Sequence, residues 1–360
     1  METPRTPATL ADVAERAGVS RQTVSNAINN PDLLRPDTLS RVRAVIAELG
    51  YTPNQAARQL RTRSSRLIGL RLGPAQEFTA NMAMDRFVRS LVEAAGQVGH
   101  QVLLFSGGPV AEGERPDPLA GYDDLVRSTA VDAFVVTDTY LGNPQTIGLT
   151  RRGAPFVAFG RPWDDPHAAH PWVDVDGAAG VRAATEHVHR RGHRRIAWIG
   201  WPPGSPIGDD RRAGWHRAMS EHGLSTAGLE AAVEDTVDAG RSAAAALLDD
   251  TGGGSGGGSG GGSGEGAPTA FVCASDTLAV GVLAELDARG LAVGGSAADG
   301  MGVVGFDDSQ VAQVLGLTSV RQPLEQVAVA LVEALTALLG STTVEPSGVL
   351  LTPTLAVRRT

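Results

Sequence analysis

Residues 9–62 read TLADVAERAGVSRQTVSNAINNPDLLRPDTLSRVRAVIAELGYTPNQAARQLRT, and this stretch decides the fold of the chain's first part. Thr9 is placed to cap a helix, with Asp12 three residues on, near the free amides of the first turn. Leu10, Val13, Ala14 and Ala17 follow at helical spacing and form one apolar stripe. Gly18 supplies a left-handed stop, and Ser20 caps a second helix whose inner side is Val24, Ala27 and Ile28. The opposite face carries Arg21, Gln22, Ser25, Asn26 and Asn29. In the major groove Arg suits guanine, and Gln or Asn suits adenine. The pattern fits a helix-turn-helix with Arg21, Gln22 and Asn26 reaching bases, and with Ser20, Thr23 and Ser25 on phosphates or bases. A third helix, opened by Pro36-Asp37 and ended by Gly50, adds Leu39, Val42, Ile46 and Leu49 to the core. A small helical bundle with no DNA partner fits the same spacing, because helix-turn-helix geometry has no unique sequence signature.

Charge distribution bears on that choice. The 360 residues carry a net charge of −9, which argues against nucleic acid if spread evenly. It is not: residues 1–65 hold nine Arg against six acids, a net of +3, so the rest carries −12. A basic head on an acidic body suits DNA contact through one end. One cysteine, Cys273, excludes an intramolecular disulfide and fits a reducing compartment. No apolar run reaches the ~18 residues of a membrane span, and METPRTPATL is unlike a signal peptide, so the expected location is the cytoplasm.

From Arg66 onward apolar strand-like runs alternate with helical stretches. LIGLRL (67–72), HQVLLFSGG (100–108), AFVVTD (133–138), PFVAFG (155–160), WVDVDG (172–177), RIAWIG (195–200), AFVCASD (270–276) and VVGFDD (303–308) are the strands. This alternation predicts doubly wound parallel sheets with ligand sites at the strand C-terminal ends. The run GGGSGGGSGGGSG (252–264) reads as a flexible loop. Its formal G-x-S-x-G match at Ser255 lacks the strand before and helix after that a nucleophile elbow requires. Polar residues cluster at strand ends: Ser275-Asp276, Asp307-Asp308 and Gln322. With Arg211 they supply the donors and acceptors that sugar hydroxyls need. Aromatic platforms could come from Phe78, Phe105, Phe159, Trp163 or Trp201, while Asp276 and Asp307 equally fit as helix or turn caps. His187, His189 and His193 are crowded by arginines and interrupted by Gly192, so no metal and no cofactor is expected. Neither a phosphate-binding loop nor a nucleophile–base pair appears, which disfavours an enzyme. A sugar-binding or sugar-active protein with a vestigial head is the alternative.

Thr9-Leu-Ala-Asp-Val-Ala, Ala17-Gly-Val-Ser, Thr23-Val-Ser and Leu49-Gly-Tyr-Thr-Pro-Asn, with Ala57 and Leu60, resemble the lactose-repressor (LacI/GalR) family, and the likeness extends over the chain. The resemblance implies an all-α helix-turn-helix head (1–52), a hinge helix or linker (53–65) and an α/β body like a periplasmic binding protein. The body would divide into an N-subdomain (66–168 and 324–345) and a C-subdomain (169–323 and 346–360), crossing near 168, 322 and 346. It extends the DNA-contacting set to Thr9, Asn29, Tyr51, Asn54 and Ala57, with Leu60 as a minor-groove wedge, although an ordinary linker with a stray leucine fits that segment too. It places Arg211 as an effector-binding arginine. The implied function is a homodimeric repressor on a pseudo-palindromic operator, controlled by a mono- or oligosaccharide. Departures from the family pattern are Gly160 followed by Arg161 where an acid is expected, Ser275 for asparagine and Leu324 for an aromatic. They put galactosides in doubt and make Arg161 a candidate ligand contact.

Overall fold

The computed structural model describes residues 8–51, 64–73, 82–107, 117–163, 165, 168–250, 266–340 and 347–360. The hinge segment with Asn54, Ala57 and Leu60, the platform candidate Phe78 and the Gly/Ser run lie outside these residues. The chain divides into two compact units, Met1–Ser65 and Arg66–Thr360.

In the first unit, helices α1 (Leu10–Ala17), α2 (Arg21–Asn29) and α3 (Pro36–Leu49) form the head. Thr9 and Asp12 make a reciprocal capping box, the Thr9 amide donating to Asp12 Oδ2 at 2.7 Å. Gly18 closes α1 at φ +63°, and Ser20 Oγ accepts from the Thr23 amide at 3.1 Å to open α2. Val13, Ala14, Ala17, Val24, Ala27, Val42 and Val45 fill the core. Leu10, Ile28, Leu39, Ile46, Leu49 and the Tyr51 ring close its margin.

The second unit holds two six-stranded sheets. Sheet one has β1 (Leu67–Arg71), β2 (Gln101–Phe105), β3 (Ala133–Val136), β4 (Phe156–Phe159), β5 (Trp172–Val175) and β11 (Gly348–Leu351), in the order β11-β5-β4-β3-β1-β2 and parallel throughout. Sheet two has β6 (Ile196–Gly200), β7 (Glu230–Ala232), β8 (Ala270–Cys273), β9 (Gly302–Phe306), β10 (Thr318–Arg321) and β12 (Thr354–Ala356), ordered β12-β10-β9-β8-β6-β7. Only β12 in sheet two runs antiparallel.

Two of the three expected crossings move. Strand β5 pairs with β4 and β11 in sheet one, so the chain crosses near residue 176, not 168, and returns near 322 as expected. Its last crossing falls at 352–353, between β11 and β12, rather than at 346. The reason is that WVDV and GVLL find hydrogen-bonding partners in sheet one. The expected crossing at 168 falls between β4 and β5, which are both strands of sheet one. Helix α12 (Leu324–Gly340) packs on α4 (Met82–Gln97) in the core under sheet one.

Sheet two is flanked by tightly packed helix pairs: α7 (Gly177–Arg190) with α8 (Pro206–Glu221), and α9 (Val237–Asp249) with α10 (Asp276–Ala288). Glycines permit the close approach. A Cβ at Gly214 would overlap the Ala178 carbonyl, and one at Gly281 would overlap Val237 O and lie 2.6 Å from Arg241 N. Gly281→Ala should therefore force α9 and α10 apart, at a cost of about 1–3 kcal/mol for overpacking. That corresponds to a fall in Tm of several degrees, readable by circular dichroism on heating. An unchanged Tm would mean the helix pair yields freely.

Candidate functional site

Parallel strands bring their carboxyl ends to one edge of each sheet, and the two edges face each other across a cleft of about 280 Å³. In sheet one the order reverses at β1, between β2 and β3; in sheet two it reverses at β6, between β7 and β8. Side chains just beyond the strand ends line the space. Asp138 follows β3, Phe159 ends β4, Asp174 lies on β5, Trp201 follows β6, Asp235 follows β7, and Asp307 follows β9.

Arg211, on α8, is the best-buried charge in the cleft, at 6 % exposure. Its Nη1 donates to Ala274 O at 2.6 Å, and Nη2 lies 3.9 Å from Asp307 Oδ1. The guanidinium stacks 3.6 Å above the Phe306 ring and 5.1 Å from that of Trp201. Burial lowers its pKa, against the pull of Asp307 and other nearby carboxylates. Gln322 Nε2 donates to Asp307 Oδ1 at 2.6 Å. Burial pushes the Asp307 carboxyl up to about 7, with Arg211 opposing and Asp276 reinforcing the shift. Asp138 and Asp210 are also raised by burial, Arg161 partly offsetting the effect at Asp210. Strained backbone collects in the same place: Asp138, Trp163 and Asp307 adopt φ of +57°, +49° and +107°.

Of the candidates from sequence, the structure brings Trp163, Arg211, Asp307 and Gln322 to the cleft wall, with Phe159 and Trp201 from the aromatic set. Arg161 sits behind them. Its Nε donates to Asp174 Oδ2 at 2.6 Å, Nη2 to Val175 O at 3.2 Å, and Nη1 lies 3.5 Å from Asp210. Its guanidinium stacks on Trp163 at 4.7 Å, so it positions groups that face the ligand space. Ser275 is the N-cap of α10 and donates its hydroxyl to Asp235. Asp276, the first residue of α10 and not its cap, accepts from Ser319 Oγ at 2.6 Å and from the Ser309 amide at 2.7 Å, so it ties the start of α10 to β10 and to the segment after β9. Phe105 lies away from the cleft, packed edge-on against Tyr122 and Phe134. Gly160 has no room for the acid the family pattern suggests, since a Cβ there would overlap Thr139 Oγ1 at φ +126°.

Asp138, Asp174, Asp210 and Asp235 were missed from sequence. Asp138 and Asp174 carried the same signal as Asp307, a carboxylate at the end of an apolar strand. Asp210 stands beside Arg211, whereas Asp235 is brought in by the short β7, which has no clear apolar run. The histidines of 187–193 are dispersed: His189 stacks on His222 at 4.0 Å, and His193 Nδ1 lies 3.2 Å from Thr269 Oγ1. Among the described residues no group of three or more His, Cys, Asp or Glu could hold a metal ion, and no helix is long and apolar enough to cross a membrane.

In the head, Arg21 and Gln22 are exposed on α2, while Thr23, Ser25, Asn26 and Asn29 are half-buried. Gln22 Nε2 donates to Asn26 Oδ1 at 3.1 Å, and Asn29 Nδ2 to Ser25 O at 2.7 Å. Thr9 is engaged in its cap and Tyr51 in the core margin.

Residues 9–54 match the model of the bacterial regulatory proteins of the lacI family, and residues 185–360 that of the periplasmic binding protein-like domain. The HTH-type transcriptional regulator CelR of Thermobifida fusca is 33 % identical, with 99 % of each chain covered. The regulator AglR of Rhizobium meliloti is 30 % identical over 80 % of this chain and 75 % of its own. Among solved structures, the CelR–cellobiose complex superposes with a TM-score of 0.68 at 31 % identity, covering 98 % of this chain and 99 % of that one. The Lac repressor dimer bound to operator and the anti-inducer ONPF superposes with a TM-score of 0.77 at 26 % identity, covering 99 % of both. A helix-turn-helix head joined to a periplasmic-binding-protein-like body makes this a transcriptional regulator, not an enzyme. The chain belongs to the LacI family.

The raised pKa of Asp307 has a stability consequence. Its folded value of about 7 lies above the ordinary 3.8, so the native state holds a proton that the unfolded chain releases. The stability this contributes is full below about pH 4 and is lost as pH rises to about 7. Asp307→Asn should abolish that contribution, so the variant should gain Tm relative to wild type between pH 4 and 7 in scanning calorimetry. A pH-independent difference would show that Asp307 ionises as an ordinary carboxylate.

Proposed function

We propose that the protein is a repressor that binds a pseudo-palindromic operator as a homodimer, with a mono- or oligosaccharide in the cleft as its effector. The observation that carries the effector reading is the cleft itself. A buried arginine, carboxylates from both subdomains and the faces of Trp163 and Trp201 surround one space. Hydroxyls can donate to the carboxylates and accept from the arginine, while sugar C–H faces lie on the rings. The cellobiose complex of CelR supports a sugar ligand. The Lac repressor dimer on its operator supports the paired arrangement on DNA. Dimerisation also has a candidate surface in helix α11 (Gln310–Leu315), where Val314 is 86 % exposed and Val311 43 %.

Arg21, Gln22 and Asn26 would read base edges, with Ser20, Thr23 and Ser25 on phosphates or bases and Thr9, Asn29, Tyr51, Asn54 and Ala57 completing the contact set. Leu60 would wedge into the central step of the operator. The sugar acts through a difference in affinity for two arrangements of the body. Moving the population from 1:99 to 99:1 takes a ~10⁴-fold preference.

Two variants test the reading. Arg211→Ala should abolish the effect of sugar on operator binding, measured by fluorescence anisotropy, while ligand-free operator affinity stays within a factor of about 2. A normal effector titration would show that this arginine is structural. Leu60→Ala should weaken specific operator binding by tenfold or more and spare nonspecific DNA affinity; equal losses in both would remove the wedge. These correspond to ~1.4 kcal/mol or more of specific binding.

A further inference from the structure

Among the described residues five carboxylates line the cleft, Asp138, Asp174, Asp210, Asp235 and Asp307, against one lining cation, Arg211. The pairing of these charges is uneven. Arg161, from behind, serves Asp174 and Asp210, and Arg211 lies beside Asp307. Asp138 and Asp235 have no ion pair among the described residues. Asp138 accepts the Thr137 hydroxyl at 3.2 Å, and Asp235 accepts that of Ser275. They approach from opposite walls, one beyond β3 and the other beyond β7.

Two buried donors on residues that line the cleft, Arg211 Nε and Trp201 Nε1, have no hydrogen-bond partner among the described residues. What fills the cleft meets Asp138 and Asp235 as acceptors and the Arg211 side chain as a donor. A hydroxyl does both, whereas an ionised carboxylate or phosphate dianion only accepts. Such an anion would also sit in a low-dielectric cleft that already carries uncompensated negative charge.

Resting on the sugar reading above, we propose that the cleft selects by charge: it takes sugars in their uncharged form and rejects the phosphorylated and aldonic-acid forms of the same sugars. Asp138 and Asp235 are the specificity-determining pair. The sugar must therefore reach the protein through uptake or glycoside cleavage that leaves it unphosphorylated.

The test is calorimetric titration of the full-length protein at pH 7.5 and low salt with matched pairs: cellobiose and cellobionate, maltose and maltobionate, trehalose and trehalose 6-phosphate. The expected result is binding of at least one neutral member, with its anionic counterpart weaker by ~100-fold or more. The double variant Asp138→Asn/Asp235→Asn should narrow that gap at least tenfold. An anion that binds as tightly as its neutral parent overturns the charge rule and leaves the sugar reading standing. A gap unchanged in the double variant overturns the assignment to Asp138 and Asp235. Failure of every neutral and anionic probe removes the sugar reading and this inference together.

Discussion

Parallel pairing is the constraint on which the body depends. Parallel strands cannot be joined by hairpins, so each must be followed by a crossover, and every strand delivers its C-terminal residue to the same edge of the sheet. Because the chain passes between the sheets three times, near 176, 322 and 352, the two edges are held facing one another. A cleft lined by strand ends follows from that connectivity, whatever side chains occupy it. Residues far apart in sequence, such as Asp138, Arg211 and Gln322, thereby become neighbours.

Within that frame, electrostatics sets which side chains face the cleft and which support it. A guanidinium as buried as that of Arg211 is stable only with its charge and donors largely satisfied. The Ala274 carbonyl, the faces of Phe306 and Trp201, and the Asp307 carboxylate do this from three strand ends. Arg161 plays the complementary part on the other side, tying Asp174 of the first subdomain to Asp210 of the second. It spans the cleft from behind, so the same ion-pair group that orients Trp163 also couples the two subdomains.

The head follows a different logic. Its capping box, its two glycine stops and the Ser20 cap are interactions within a few residues, and the core they organise is made from three adjacent helices. Gln22 and Asn26 bond to each other on the outer face of α2, which keeps both polar tips away from the core. An exposed ion pair between Arg16 and Glu48 joins the first and third helices and adds little, since both partners remain in water.

The sequence by itself determined the elements governed by short-range rules. The helical head, its caps and the eight apolar strands of the body were legible because hydrophobic periodicity and stop signals act within one turn or one strand, whereas β7, β10, β11 and β12 were not. Asp307 and Gln322 were nominated by their places near strand ends, and Arg211, inside α8, by the family resemblance. Only the tertiary structure decided which sheet each short strand joined: Trp172–Val175 and Gly348–Leu351 lie in stretches expected in the second subdomain, yet they pair with each other in sheet one. It also separated Phe105, buried in its own aromatic cluster, from Trp163 and Trp201 on the cleft wall. It made Asp276 a tie to Ser309 and Ser319, and Asp235 a lining group. Burial and charge pairing are sums over residues brought together by the fold, and no local pattern encodes them.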